Sequence, residues 1–229
     1  MTYLDKLLEP LNEELKAFDT KGKSIEELDR MLDKVKTTKN RALREVQDKK
    51  YKSVRHKELL FDHCMLKSKK FNEGMRDILD VIDVTRGVEI AMAELGDYDF
   101  VDGDHYDNTD FSETKTCGIK LAWGKNDTYS MRYNVTNVVT ESGVPKKGDI
   151  RLVITNVFND TVRFFFLPKK FWDNKKNKIW NKSPKHKGTI TGTWTKVGGF
   201  LTTKTKNLDE FEVDSFETLA KMKSTCLTK

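Results

Sequence analysis

Two acidic residues and one lysine in the segment 106–116 have the types and the spacing needed to hydrolyse a phosphodiester. Asp107 lies six positions before Glu113, and Lys115 follows Glu113 after a single residue. Successive side chains of a strand point to opposite faces, so Glu113 and Lys115 should project together, and Asp107 can join them from the preceding strand. Two carboxylates suit Mg²⁺, and a lysine beside the ion can orient the attacking water. The pattern therefore predicts Asp107 and Glu113 as metal ligands and Lys115 as a catalytic residue.

The arrangement resembles the catalytic motif of the PD-(D/E)XK nuclease superfamily, whose fold is shared by many type II restriction endonucleases. The resemblance covers residues 83–194, and the catalytic residues alone carry it. It implies that Asp107 is the first acid of the motif, Glu113 the second acid and Lys115 the lysine. It also implies a restriction-endonuclease-like fold and a Mg²⁺ cofactor.

The same resemblance implies an acidic residue on a helix that precedes the motif. The segment 84–96 reads as that helix. Glu89 fits the catalytic position best because it lies near the start of the helix. Glu94 is the substitute.

Two positions depart from the family pattern. Tyr106 stands where the family name places proline, and Ser112 replaces the usual apolar residue before the second acid. Asp104 and Asp110 therefore compete with Asp107 for the first acidic position, and His105 is a further candidate for a base or a metal contact. In a chain of which 34% is charged, an acid-X-lysine triplet also arises by chance. The order of the elements favours a nuclease, because an acidic helix, an acidic turn, the triplet strand and a strongly apolar strand pair follow one another.

The elements that must position these residues divide the chain into two parts. Residues 1–80 read as a helical N-terminal region, in which 39–80 forms helix in two pieces. Between Asp48 and His56 the apolar stripe thins while the charge stays high, which predicts a solvated arm or a DNA contact. We therefore predict a DNA-binding or dimerisation arm at 1–80 and a nuclease domain at 81–229.

The second part is predicted to be α/β (α+β), with a mixed central β-sheet flanked by helices. The run from Phe164 to Leu167 is apolar on both faces, as expected for a central strand covered by helices. Turn residues at 158–161 predict a hairpin with the strand before it, and Gly96 should end the helix of Glu89. The other predicted elements are a strand beginning at Tyr98, strands at 112–116, 121–123, 129–139, 150–157, 162–167 and 189–194, a short helix opened by Lys169 and a closing helix at 214–222.

The charge distribution suits a polyanionic partner. The chain has 42 Lys and Arg against 36 Asp and Glu, for a net charge of +6. Basic residues concentrate in 34–76 and 163–206, whereas acids concentrate in 97–113. Lysines that hold a phosphate backbone beside carboxylates that hold a metal are what a nuclease of double-stranded DNA needs. The predicted DNA-binding residues are Lys49, Lys50, Lys169, Lys170, Lys175, Lys176 and Lys185.

Several other classes of protein are not indicated. The sequence has no run near the ~20 apolar residues of a membrane span and does not begin like a secretory signal. Cys64, Cys117 and Cys226 are scattered and lack metal-ligand spacing, which suits reduced thiols in a cytoplasm. We therefore expect a cytoplasmic protein.

The sequence predicts a Mg²⁺-dependent DNA endonuclease, either type II restriction-like or phage-encoded. A homodimer is the natural way for such an enzyme to cut both strands of a symmetric site. The alternative is a non-catalytic basic DNA-binding or interaction protein whose acidic turn has no catalytic role. A nuclease directed at RNA is the third possibility.

Overall fold

The fold was obtained as a computed structural model, which describes residues 1–101, 106–140, 142, 144–173, 180–181, 189–194, 200–202 and 208–227. The α-helices are α1 Tyr3–Ala17, α2 Ile25–Val46, α3 Lys49–His63, α4 Val84–Gly96, α5 Lys169–Trp172 and α6 Phe216–Lys221. Short 3₁₀ helices include Met65–Lys67 and Glu73–Ile78. The strands are β1 Ser112–Gly118, β2 Lys120–Trp123, β3 Tyr129–Val135, β4 Asp149–Asn156, β5 Thr161–Leu167, β6 Trp180–Asn181, β7 Thr189–Trp194, β8 Phe200–Thr202 and β9 Glu212–Val213.

A mixed central sheet with the strand order β1-β4-β5-β9 organises the molecule. β1 runs parallel to β4, with Glu113 opposite Ile150, and β4 runs antiparallel to β5, with Ile150 opposite Leu167. The predicted hairpin and the predicted central strand are thereby confirmed, because Phe164 to Leu167 are buried between two neighbouring strands. The expected mixed sheet flanked by helices is present.

The two faces of this sheet are covered differently. On one face, Leu152 and Phe165 pack against a second sheet, in which β2, β3, β7 and β6 are neighbours and β8 pairs with β7. On the other face, Val153 and Phe164 pack against α4, α6 and the end of α3, where Phe61 is fully buried. Alternate side chains of the central strands therefore enter two separate cores.

The segment from Asp48 to His56 does not form the predicted solvated arm, because it packs on the core. The Tyr51 ring packs against the first core, and Arg55 bonds to Asp160 in the turn after β4. His56 lies against β4, with Nδ1 2.5 Å from the hydroxyl of Thr155. The apolar stripe is thin here because polar side chains with specific partners take the buried positions.

The predicted end of the Glu89 helix at Gly96 is confirmed, because Gly96 is the last residue of α4. Asp97, which follows it, takes the left-handed conformation with a φ of 56°. Glycine is required at position 96 because a Cβ there would lie 2.5 Å from the Ala220 carbonyl oxygen. One predicted boundary near the site was wrong. The strand expected to begin at Tyr98 is reduced to a single bridge between Phe100 and Asn108. No helix in the described parts of the chain is both long and apolar enough to cross a membrane.

Candidate active site

The acidic turn before β1 is folded back onto that strand. The Asn108 amide donates to the Ser112 carbonyl oxygen and to the hydroxyls of Ser112 and Thr114, at 3.1 to 3.3 Å. The Asp107 N–H donates to the Ser112 carbonyl oxygen at 3.0 Å, and its Oδ2 accepts from the Thr114 N–H at 3.3 Å. These bonds hold the Asp107 carboxylate beside β1, although Asp107 lies in no strand.

The three residues of the predicted motif converge at the start of β1. Lys115 Nζ lies 2.6 Å from Glu113 Oε2 and 3.1 Å from Asp107 Oδ2. Glu113 and Lys115 project together because they are two positions apart on one strand. The convergence expected from the spacing is therefore observed, while the catalytic roles stay predictions.

A second lysine completes the cluster, and the sequence analysis missed it. Lys146 Nζ lies 2.9 Å from Glu113 Oε2 and 3.7 Å from Asp107 Oδ1. Lys146 lies in the loop before β4, which the parallel pairing places beside β1. The position of Lys146 just before an apolar strand is a weak sequence signal for a second lysine at the site.

Burial changes the ionisation of the cluster. Glu113 is fully buried and the Lys115 side chain is 13% exposed. Burial raises the pKa of Glu113 to about 7, with Asp107 adding to the effect and Lys115 and Lys146 opposing it. Burial alone would lower the pKa of Lys115, but Glu113 and Asp107 overcome it and raise that pKa. The lysine is therefore held as a cation between two acids.

Of the two candidate acids on α4, Glu89 is the one whose pKa responds to the charges of the cluster. Burial raises the pKa of Glu89 to about 7, and the negative charge of Asp107 adds to the effect, with Arg86 opposing it from 3.3 Å. The Glu94 carboxylate instead accepts a hydrogen bond from the Ser68 hydroxyl. Glu89 is therefore the candidate that shares the electrostatic field of the motif.

Asp110, which competes with Asp107 for the first acidic position, is bound to an arginine instead. Asp110 Oδ2 lies 2.6 Å from Nη2 of the fully buried Arg151, and its Oδ1 accepts from the Ser112 hydroxyl. This ion pair fixes the turn and commits Asp110 to a structural contact. Asp104 and His105 lie outside the described residues.

The cluster has the features of a two-carboxylate site for Mg²⁺. Glu113 Oε1 is buried and has no hydrogen-bond partner within the described part of the chain. An oxygen in that position is free to coordinate an ion, and Mg²⁺ is commonly bound by one or two carboxylates together with water and substrate phosphate. Among the described residues, no three or more His, Cys, Asp or Glu side chains converge on one point. Asp107 and Glu113 are the two carboxylates of the cluster that would hold a Mg²⁺ ion.

The predicted DNA-binding lysines do not share one position. The helix α5 follows Leu167, which pairs with Ile150, so Lys169 and Lys170 lie at the same sheet edge as Glu113. Lys170 is exposed there, whereas Lys169 Nζ bonds to the Lys146 carbonyl oxygen at 2.6 Å and to Asp173 at 3.0 Å. Lys169 therefore has a structural role.

Lys49 and Lys50 begin α3, which approaches the opposite end of the sheet. His56 on that helix contacts Thr155, which pairs with Gly118, five residues or roughly 17 Å along β1 from Glu113. The side chains of Lys49 and Lys50 lie outside the described part of the structure, as do Lys175, Lys176 and Lys185.

Comparison of the chain with protein-family models, with curated proteins and with solved structures gave no match. A functional assignment therefore rests on the chemistry and the positions of the residues at this edge of the sheet.

Proposed function

We propose that this protein is a Mg²⁺-dependent DNA endonuclease that resembles the PD-(D/E)XK nucleases, either type II restriction-like or phage-encoded. One observation carries the proposal. Asp107, Glu113 and Lys115 meet at one sheet edge, and the buried Glu113 Oε1 has no partner among the described residues. A fully buried carboxylate with an unused oxygen is costly in a structural role, and coordination of a cation would remove that cost.

Asp107 and Glu113 would hold the ion, and Glu89 would adjust the charge of the site or contact a second ion. When bound, Mg²⁺ polarises a phosphoryl oxygen and lowers the pKa of a coordinated water. The Lys115 ammonium, within 3.1 Å of both carboxylates, lies where it can orient the attacking water and stabilise charge on a phosphate oxygen.

Double-stranded DNA is the proposed substrate. The chain has a net charge of +6, and Lys170 is exposed beside the acid pair. A homodimer would place two such edges on the two strands of a symmetric site. A cytoplasmic location fits the three cysteines, which are all free thiols.

Incubation of the protein with a mixed-sequence plasmid and Mg²⁺ tests the proposal. We expect cleavage that EDTA abolishes, and a loss on the order of 10³-fold in Asp107→Ala and Lys115→Ala, because each removes a group at the reacting phosphate. Fluorescence anisotropy with a short duplex should show that both variants still bind DNA. Asp214→Ala and Lys125→Ala, at exposed positions before α6 and in the turn between β2 and β3, are the matched controls and should cleave normally.

The charge balance of the cluster also supports a second candidate. Lys115 and Lys146 together match the two carboxylates, so the four side chains could form a structural ion-pair network in a non-catalytic DNA-binding protein. DNA binding by the parent protein without Mg²⁺-dependent cleavage would select this candidate. Cleavage of an RNA strand in the same assay, with the plasmid left intact, would select the nuclease directed at RNA.

A further inference from the structure

Lys146 is held in place by its main chain while its ammonium contacts the acid pair. The Lys146 N–H donates to the Val138 carbonyl oxygen at 3.0 Å, and its carbonyl oxygen accepts from Lys169 Nζ at 2.6 Å. Two residues later, the Gly148 carbonyl oxygen accepts from the buried Trp172 Nε1 at 3.2 Å. Three hydrogen bonds therefore fix the backbone of this loop on both sides of Lys146.

The same loop is pressed directly against the start of β1. A Cβ on Gly148 would lie 2.5 Å from the Phe111 carbonyl oxygen and 3.2 Å from the Ser112 backbone. Backbone contact this close requires glycine. The loop before β4 thus brings Lys146 to the cluster independently of Lys115, which lies on β1.

Two ammonium groups already compensate the two carboxylates of the pair. Lys146 Nζ is 2.9 Å from Glu113 Oε2, and its side chain is 12% exposed. A divalent cation bound to Glu113 and Asp107 would add two positive charges beside both lysines. A lysine side chain carries its charge on a flexible four-carbon stem, so its ammonium can move while the backbone stays fixed.

We propose that Lys146 is the phosphate-binding lysine of this site: its ammonium occupies the cation position beside Glu113 and Asp107 in the free protein, and moves to a phosphate oxygen of DNA when a divalent ion binds. The proposal rests on the proposed nuclease function. The phosphodiester offsets the positive charge that the ion brings. Ion and DNA therefore bind cooperatively, and by linkage each raises the affinity for the other by the same factor.

Binding measurements on Lys146→Met test this coupling without relying on cleavage. Ca²⁺, which takes oxygen ligands as Mg²⁺ does, is titrated into the free protein by calorimetry. DNA affinity is measured by anisotropy with Ca²⁺ and with EDTA, and electrophoresis checks that the duplex is intact. We expect the free variant to bind Ca²⁺ more tightly by on the order of tenfold, and the increase in DNA affinity caused by Ca²⁺ to shrink by on the order of tenfold.

Three further variants keep the test specific. Lys146→Arg retains the charge and should preserve the coupling, whereas Lys146→Gln should behave as Lys146→Met does if the methionine variant folds poorly. Lys170→Met removes an exposed lysine at the same edge and should leave the free-protein Ca²⁺ affinity unchanged. Thermal melts establish that each variant is folded.

The outcomes separate this proposal from the proposed function. Unchanged or weaker Ca²⁺ binding by folded Lys146→Met and Lys146→Gln, in a parent protein that cleaves DNA, overturns the role of Lys146 alone. Coupled binding of Ca²⁺ and DNA without cleavage under Mg²⁺ overturns the nuclease and leaves the role of Lys146 standing. A parent protein that binds no Ca²⁺, with or without DNA, overturns the role of Lys146 whatever the plasmid assay gives.

Discussion

Two fully buried carboxylates lie at the same edge of the central sheet and differ in how their oxygens are used. Asp149 accepts hydrogen bonds from the Lys169 N–H at 2.7 Å, the Thr225 N–H at 2.5 Å and the hydroxyls of Ser224 and Thr225. Glu113 meets only two ammonium groups through Oε2, and Oε1 has no partner among the described residues. Asp149 pairs with Ser112, so the two acids are one residue apart on neighbouring strands.

The difference is between a buried carboxylate whose oxygens are fully hydrogen-bonded and one with an unpartnered oxygen. Donors from the main chain and from hydroxyls saturate Asp149, which ties the C-terminal segment to β4. Glu113 remains able to bind something else, and its cations are flexible side chains that can be displaced. A buried acid that has an oxygen without a hydrogen-bond partner indicates a binding site better than burial alone does.

The largest expected effect comes from neutralising the unsaturated acid. Glu113→Gln should reduce Mg²⁺-dependent cleavage by on the order of 10³-fold, because one of the two metal ligands loses its charge. Glu113→Gln should lower the free energy of unfolding less than Asp149→Ala does, because burial already disfavours the charged form of Glu113 and raises its pKa to about 7. Plasmid cleavage and urea denaturation measure the two quantities. If Glu113→Gln cleaves normally, or loses most of its stability, Glu113 has a structural role like that of Asp149.

Replacing Asp149, whose oxygens are fully hydrogen-bonded, should mainly reduce the stability of the protein. Asp149→Ala should lower the free energy of unfolding by about 3 kcal/mol, because several hydrogen bonds to a fully buried carboxylate are lost at once. Urea denaturation monitored by circular dichroism measures this loss, with Asp214→Ala, an exposed aspartate before α6, as the control. Equal free energies of unfolding for Asp149→Ala and Asp214→Ala would show that the bonds from Ser224 and Thr225 contribute nothing to stability.

The smallest expected effect is a pH dependence at Glu89. Its pKa is raised from 4.5 to about 7, so the folded protein keeps a proton that the unfolded chain loses, and stability falls as the pH rises between these values. The Glu89 side chain is only 14% exposed, and burial is the largest cause of the raised pKa.

Denaturation of the metal-free protein across that window, compared with Glu89→Gln, measures the Glu89 contribution. The parent protein should lose more stability than the variant on going from pH 4.5 to pH 7. The same comparison with Glu26→Gln, an exposed glutamate of α2, is the control. Identical pH profiles for the parent protein and Glu89→Gln would show that Glu89 does not share the field of Asp107.

The sequence predicted features that depend on short stretches of chain. Alternation along β1 placed Glu113 and Lys115 together, and turn residues between β4 and β5 indicated their hairpin. The apolar run ending at Leu167 indicated a central strand, and the short helix after it is α5. In each case the residues that decide the structure are neighbours in sequence.

Contacts between distant segments were not predictable in this way. Lys146 reaches Glu113 only because β1 and β4 pair in parallel across a connection that holds much of the second sheet. Ser224 and Thr225, which donate to Asp149, lie more than seventy residues later. The His56 ring contacts the hydroxyl of Thr155, 99 residues later, and local periodicity cannot reveal that contact.

The bonds from Ser224 and Thr225 to Asp149 have a consequence for protein synthesis. Asp107, Glu113 and both lysines leave the ribosome long before those two residues do. The start of β4 therefore gains these bonds only after residue 225 has left the ribosome. Until then, the buried Asp149 carboxylate lacks its donors from Ser224 and Thr225.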